Sequence, residues 1–249
     1  WGAFLRLMGG TAISTSGPTD SLYTHTMVRG ATFPGATFQT NEELLDGTDE
    51  PFTYAGAKVT KWKLMFEVGK PVTFEFECVG TTYLTSTGLA SASYTSGYEM
   101  LTWAGTAITI GGSSVPLESF TVEHDLNLKT DRWKLKGSGV RQEPVKAGRT
   151  KTTWSAKGDF ESLTQYDRFR AATATANQAA IVVTATGPTL VGAATYPSLA
   201  VTLPAARFDD FGKPMKGNDL IMADFGGAAL GTTANAASVG VVYSNAQST

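Results

Sequence analysis

Few side chains in this sequence could make or break bonds. His124 and Asp125 are neighbours, and a base with its orienting carboxylate must meet in space. Adjacent residues of a strand point to opposite faces, however. His124 shares its face with Phe120, Val122 and Leu126, which describes a hydrogen-bonded core or interface histidine. No serine sits in a Gly-x-Ser-x-Gly elbow; Ser113 comes nearest, with Val115 in place of the second glycine. Gly137-Ser138-Gly139 lacks the third glycine of a phosphate loop and opens no helical pattern, while Gly111-Gly112 reads as a hairpin turn. Asp209, Asp210, Asp219 and Asp224 could hold calcium or a glycosidase pair, but without EF-hand spacing they read as solvated loop carboxylates. Cys78 is the single cysteine, and His25 and His124 are the only histidines, too few for a disulfide framework or a Cys/His zinc site. No catalytic, cofactor-binding or metal-binding residue is assigned, and a non-enzymatic protein is expected.

Charge is informative through its placement. Lys129, Arg132, Lys134, Lys136, Arg141, Lys146, Arg149, Lys151 and Lys157 face only Asp131 and Glu143, giving this segment +7 and leaving −9 for the rest of a chain of net charge −2. Upstream, Glu42, Glu43, Asp46, Asp49 and Glu50 form an acidic run with no base among them. Either these are two solvated loops of opposite sign, or one copy's basic segment meets the next copy's acidic run. A head-to-tail contact of the second kind builds rings or filaments.

The elements that carry these residues speak mostly in period two. With 249 residues, 42% of them hydrophobic and 17% charged, the chain can bury a substantial core, and its near-zero net charge argues against a dedicated nucleic-acid binder. Trp62, Leu64, Phe66 and Val68 alternate with Lys61, Lys63 and Glu67; after Gly69-Lys70-Pro71, Val72, Phe74, Phe76 and Cys78 alternate with Thr73, Glu75 and Glu77. This is a β-hairpin, and keeping both apolar sets on one side predicts Val68 opposite Val72, Phe66 opposite Phe74, Leu64 opposite Phe76 and Trp62 opposite Cys78. The other face then pairs Lys63 with Glu77 and Met65 with Glu75.

Further strands are expected at 36–44, 107–110, 120–128, 152–160, 181–185, 199–203 and 239–243. One short helix is expected, capped by Ser162 with Gln165 reaching back and Leu163, Tyr166 and Phe169 lining one face for about three turns. The opening segment to Met8 reads as a strand or packing arm rather than a signal peptide. No apolar run is long enough to span a bilayer. The expectation is a mainly-β sandwich or barrel in a single domain over 1–249, with an N-terminal arm (1–32), a long β-hairpin, one short flanking α-helix, and loops at 171–198 and 226–238.

The order of these features resembles the major tail tube protein of long-tailed bacteriophages. The resemblance runs through Phe33-Pro34-Gly35-Ala36-Thr37-Phe38, then the segment from Phe52 to Val59, then the hairpin ending in Cys78-Val79-Gly80. It continues through Leu117 to Leu126, where Asn127 alone stands for an asparagine-rich loop, and through Gly148-Arg149-Thr150 into Trp154 and Gly158-Asp159-Phe160. Leu199 to Pro204 and Asp219-Leu220-Ile221 are similar to the family's last strands. These are degenerate strand-and-turn patterns, and the first thirty or so residues and the insert around Asn177 have no clear counterpart. The resemblance implies a tail tube subunit, expected of a siphophage, that assembles in the host cytoplasm into homohexameric rings stacked as the hollow tube of a virion tail; the sequence does not say whether the tail contracts. Its partners would be further copies of itself, a ruler protein and tail-end proteins, with DNA passing without specific binding, and with no cofactor and no membrane. Contractile-phage tubes and the type VI secretion tube are similar in fold.

Because every neutralised phosphate adds affinity, a DNA channel should be neutral to acidic. Glu67, Glu75 and Glu77 on the polar side of the hairpin are therefore the candidate lumen-facing residues, with Lys63 neutralised by Glu77. The basic and acidic sets above are the candidate inter-subunit residues. A different class of function is a β-sandwich module binding carbohydrate or a host surface through Tyr94, Tyr98 and Trp103. A capsid or decoration protein is a third reading.

Overall fold

The computed structural model describes residues 2–19, 21–29, 33–91, 100–135, 139–191, 195–212, 221–231 and 237–246. Tyr94, Tyr98, Lys136 and Asp219 lie outside them. Helix α1 (Gly2–Gly9) leads into β1 (Gly10–Thr19), β2 (Leu22–Arg29), β3 (Ala36–Glu43), the long β4 (Asp49–Glu67), β5 (Thr73–Val79) and β6 (Thr82–Leu84). A 3-10 turn (Trp103–Gly105) precedes β7 (Thr106–Ile110), β8 (Ser113–Ser114), β9 (Ser119–Asp125), β10 (Leu128–Lys129), β11 (Val145–Lys146) and β12 (Lys151–Asp159). Helix α2 (Thr164–Arg170) is followed by β13 (Gln178–Thr186), β14 (Ser198–Arg207), β15 (Asp210–Gly212), β16 (Met222–Leu230) and β17 (Gly240–Asn245).

Fifteen of these strands form one antiparallel network, which turns over on β14. The first half of β14 lies between β13 and β17, while its end, at Ala205 and Ala206, passes to β16. One layer therefore runs β8-β7-β13-β14-β17-β2-β1 and the other runs β16-β12-β9-β4-β5. Alternate residues of both layers meet in a shared core: Trp62, Leu64, Phe66, Phe120, Val122 and Trp154 from one, Ile181, Val183, Leu199, Val201, Leu203 and Val241 from the other. The mainly-β expectation is met.

The hairpin has the expected parity but not the expected register. Leu64 lies opposite Phe74, Trp62 opposite Phe76, Lys63 opposite Glu75 and Lys61 opposite Glu77, a slide of two residues from the expected pairing. The turn explains it. Lys70 N–H donates to the Glu67 carbonyl (3.1 Å), and Gly69 supplies the positive φ of +81° that this turn needs. The next residues pair elsewhere, with Val72 N–H on the Leu101 carbonyl (2.8 Å) and Pro71 bridged to Thr102, so Val72 is not available to face Val68. The slide keeps the apolar faces together and yields two cross-strand lysine–glutamate pairs instead of one.

Four other expectations are corrected. The opening segment is a helix, because Phe4, Leu5, Leu7 and Met8 fall on one helical side: Leu5 and Met8 are buried, and Phe4 meets Phe74 and Phe76 with ring centroids 5.4 Å away. Residues 1–32, expected as an arm, supply β1 and β2, and β2 joins the sheet through β17. The second helix begins at Thr164 without a side-chain cap, and Gln165 accepts from Arg168 (2.8 Å) instead of reaching back. Its C-terminal end is held by Asn177, whose amide donates to the Arg168 carbonyl (3.1 Å) and also to that of Phe208 (3.0 Å). Finally, the strand expected at 181–185 is present as β13 and starts at Gln178, so 171–198 is not loop throughout, and β16 runs into 226–238. Gly226 and Gly227 belong to that strand for lack of room: a Cβ on Gly227 would meet the Arg207 carbonyl, and one on Gly226 the Trp154 carbonyl at 2.6 Å.

Two stability outcomes follow, both read by thermal or urea melts. Phe120→Ala should cost about 3–5 kcal/mol, whereas Phe74→Ala, with a half-buried ring, should cost about 2 kcal/mol. Gly227→Ala should be worse than about 4 kcal/mol despite adding only a methyl group, because backbone rather than side chain blocks it; wild-type melting of that variant would contradict the close approach.

Candidate functional site

Strand parity that buries Trp62, Leu64 and Phe66 turns Lys61, Lys63, Met65 and Glu67 to the outer face of their layer. The registers then lay side chains in rows across four strands. Glu77, Lys61, Asp125 and Lys151 make the first row; Glu75, Lys63, Glu123 and Thr153 the second; Thr73, Met65, Thr121 and Ser155 the third. Glu67, Ser119 and Lys157 make the fourth. Four lysines against five carboxylates leave this face at −1, with the signs interleaved. Lys63 approaches Glu75 at 3.8 Å, Glu67 meets Lys70 at 2.9 Å, and Lys157 meets Glu118 at 3.3 Å. Glu67, Glu75 and Glu77 thus lie on one polar face as expected, but the neutralising partner of Lys63 is Glu75 and not Glu77, a direct result of the two-residue slide.

The outer face of the other layer is different in kind. One row across it reads Ser14, Thr26, Val242, Ala200, Thr184 and Ala107, and a second reads Ser16, Thr24, Ser244, Ser198 and Thr186. Neither row carries a charge. The sequence reading missed this contrast, although the run of Ser, Thr and Ala at alternate positions of 181–186 and 198–202 was its signal.

The acidic run forms the tip of the β3–β4 hairpin. Glu42 lies opposite Glu50 and Glu43 opposite Asp49, so like charges face each other across the strands. The turn is closed by Leu44 N–H on the Thr48 carbonyl (2.8 Å) and by Thr48 N–H on the Asp46 carboxylate (2.9 Å). That backbone hydrogen bond holds the Asp46 carboxyl below its ordinary range. Leu44 and Leu45 stand exposed at the apex.

The basic set divides. Lys129, Arg132, Lys134, Arg141, Lys146 and Arg149 lie on the loop around the short β10–β11 ladder, whereas Lys151 and Lys157 belong to the polar sheet face. The loop is anchored from below by Lys58, a buried lysine whose Nζ pairs with Glu143 (3.2 Å) and donates to the Pro144 carbonyl (3.1 Å). Arg132 donates to the Glu143 carbonyl, and the Arg141 guanidinium sits 5.5 Å from the centre of the exposed Trp133 ring. Sequence reading passed over Lys58, whose signal was a lysine within an otherwise apolar stretch, Ala57 to Val59.

The residues weighed for catalysis are accounted for structurally. His124 is buried against Trp62 with its Nδ1 2.7 Å from Thr152 Oγ1, while Asp125 accepts from Asn127 N–H (2.7 Å) on the opposite face. Asp209 binds Arg207, raising the guanidinium's pKa through hydrogen bond and charge, and accepts from Ala228 N–H (3.0 Å). Gly111 and Gly112, with φ of +63° and +83°, form the two-residue hairpin turn between β7 and β8. Trp103 is half-exposed, and its backbone N–H donates to the Lys70 carbonyl (3.2 Å). Among the described residues no group of three or more His, Cys, Asp or Glu could hold a metal ion, and no helix is long and apolar enough to cross a membrane.

Lys58→Met keeps the apolar stem and removes the anchor. Amide exchange over 141–147 should accelerate on the order of tenfold while global melting changes little; unchanged protection would show that Lys58 does not hold the loop.

No curated protein matches the chain. The family model described as phage tail tube protein matches residues 2–239, from α1 to the residue before β17. That match covers every strand except β17 and both charged extremities, and the chain belongs to the phage tail tube protein family.

Proposed function

We propose that the chain is the structural subunit of a siphophage tail tube, forming stacked hexameric rings around a channel that conducts the genome during ejection. In this reading it assembles in the host cytoplasm around a ruler protein, is completed by tail-end proteins, and does no catalysis. The channel is lined by the outer face of β4, β5, β9 and β12. The observation that carries this choice is the row pattern of that face, interleaved in sign and at −1 overall. Duplex DNA sliding past it meets lysines interleaved with carboxylates rather than a continuous track of cations, which keeps phosphate neutralisation and its affinity low.

Two further observations support the assignment. A wall that stays wet must be polar, whereas an uncharged face of small side chains suits contact with another protein surface. Among the described residues β5 pairs with β4 alone, so its outer edge can continue into a neighbour's sheet. Four strands from each of six copies would exceed the roughly 16–18 strands that already leave an aqueous channel in a closed barrel.

The test is Glu67→Lys/Glu75→Lys, which changes the face from −1 to +3 per copy while leaving the buried side untouched. Particles carrying it should assemble, yet eject DNA slowly at low salt and recover as salt rises. Glu67→Gln/Glu75→Gln should eject much closer to wild type. Wild-type ejection by the lysine variant at low salt would remove this face from the channel.

A further inference from the structure

We propose that the acidic tip of the β3–β4 hairpin of one copy seats on the basic 129–149 loop of a second copy. The contact rests on the tube reading for its place in a stack, but the pairing itself is a property of two chains.

Among the described residues no ion pair joins the tip to the loop within one chain. Lys58, which anchors the loop through Glu143, adjoins Ala57, where the β3–β4 arm begins opposite Ala36. From Ala57 to Asp49 the strand makes eight steps, so the tip lies up to about 27 Å from Ala57 at ~3.4 Å per residue. That exceeds the Debye length of ~8 Å several-fold at physiological salt. The arm from 36 to 57 contains five carboxylates and no lysine or arginine, while the loop from 129 to 149 carries seven cations against two acids, one of which is the Glu143 already bound by Lys58.

Each end is also incomplete by itself. At the tip, the register forces Glu42 against Glu50 and Glu43 against Asp49, a repulsion that arriving cations would relieve. Both ends carry exposed apolar side chains among charges mostly of one sign: Leu44 and Leu45 at the tip, Trp133 and Leu135 on the loop. Apolar groups surrounded by charged ones are the anatomy of an interface, and here the two halves have opposite rims. The contact joins two different patches, so it repeats as a heterologous contact when copies stack in one direction, which is the arrangement the tube reading requires.

Two variants at exposed positions test this at low salt by sedimentation velocity. One reverses the tip, Glu42→Lys/Glu43→Lys/Asp49→Lys; the other reverses the loop, Lys129→Glu/Lys134→Glu/Lys146→Glu. Wild type should self-associate in a salt-sensitive way. Each variant alone carries tip and loop of one sign and should stay monomeric. An equimolar mixture should associate again, because each tip then finds an opposite loop. A wild type that does not associate, a variant that associates alone like wild type, or a mixture that stays monomeric overturns the contact. If a reversed variant does not melt like wild type, Glu42→Gln/Glu43→Gln/Asp49→Asn takes its place. It should weaken association by about tenfold or more, and wild-type strength there also overturns the proposal. Electron microscopy of the same wild-type sample separates the two readings. Salt-sensitive association without hollow tubes removes the tube and leaves the contact; tubes formed equally by the reversed variants remove the contact and leave the tube.

Discussion

Burial of Trp62, Leu64 and Phe66 leaves the residues between them no choice of direction, and most of the molecule follows from that constraint. Each of these side chains contributes about 1.5–3 kcal/mol on leaving water, and a one-residue slip would exchange them for Lys61, Lys63 and Glu67 in the core. Parity is therefore fixed far more firmly than any single hydrogen bond. It passes from β4 to β5 and β9, and from β9 to β12, through registers that keep inward residues opposite inward residues. The interleaved charges of the outer face are the other side of the same arrangement.

The subunit that results has two unlike surfaces on one core. One layer shows water a lattice of lysines and carboxylates; the other shows rows of Ser, Thr, Ala and Val. The third feature, the β3–β4 arm, projects beyond the core and so has little of its own to bury. Its tip carries repelling carboxylates and bare leucines. For a chain that works by contact with its own copies, stability left unrealised in the monomer is where assembly can draw its free energy.

How much of this was legible in the sequence depended on how local the signal was. The alternation of 61–68 and 72–78 revealed the hairpin and its buried side, because period two is a property of each strand by itself. The register could not be read from the hairpin alone, since Leu101 and Thr102, some thirty residues on, capture Val72 and Pro71. The same limit explains the second helix. A capping-box pattern was present at Ser162, yet the end that is held by side-chain hydrogen bonds is the other one, by Asn177. The glycine pair at 226–227 looked like loop because crowding by the Arg207 and Trp154 carbonyls is invisible without the neighbouring strands. The basic segment looked like one feature in one dimension, but strand parity sends Lys151 and Lys157 to the sheet face and leaves the rest on the loop.

In the proposed assembly the polar face of β4, β5, β9 and β12 lines the hollow of the tube. Electron cryomicroscopy of intact tails at side-chain resolution tests it most directly. Lys61, Lys63, Glu75, Glu77 and Glu123 should then surround the channel, with the Ser/Thr/Ala rows of the other layer turned away from it. A map that places those charged rows on the tube's exterior, or the uncharged rows around the channel, would contradict it.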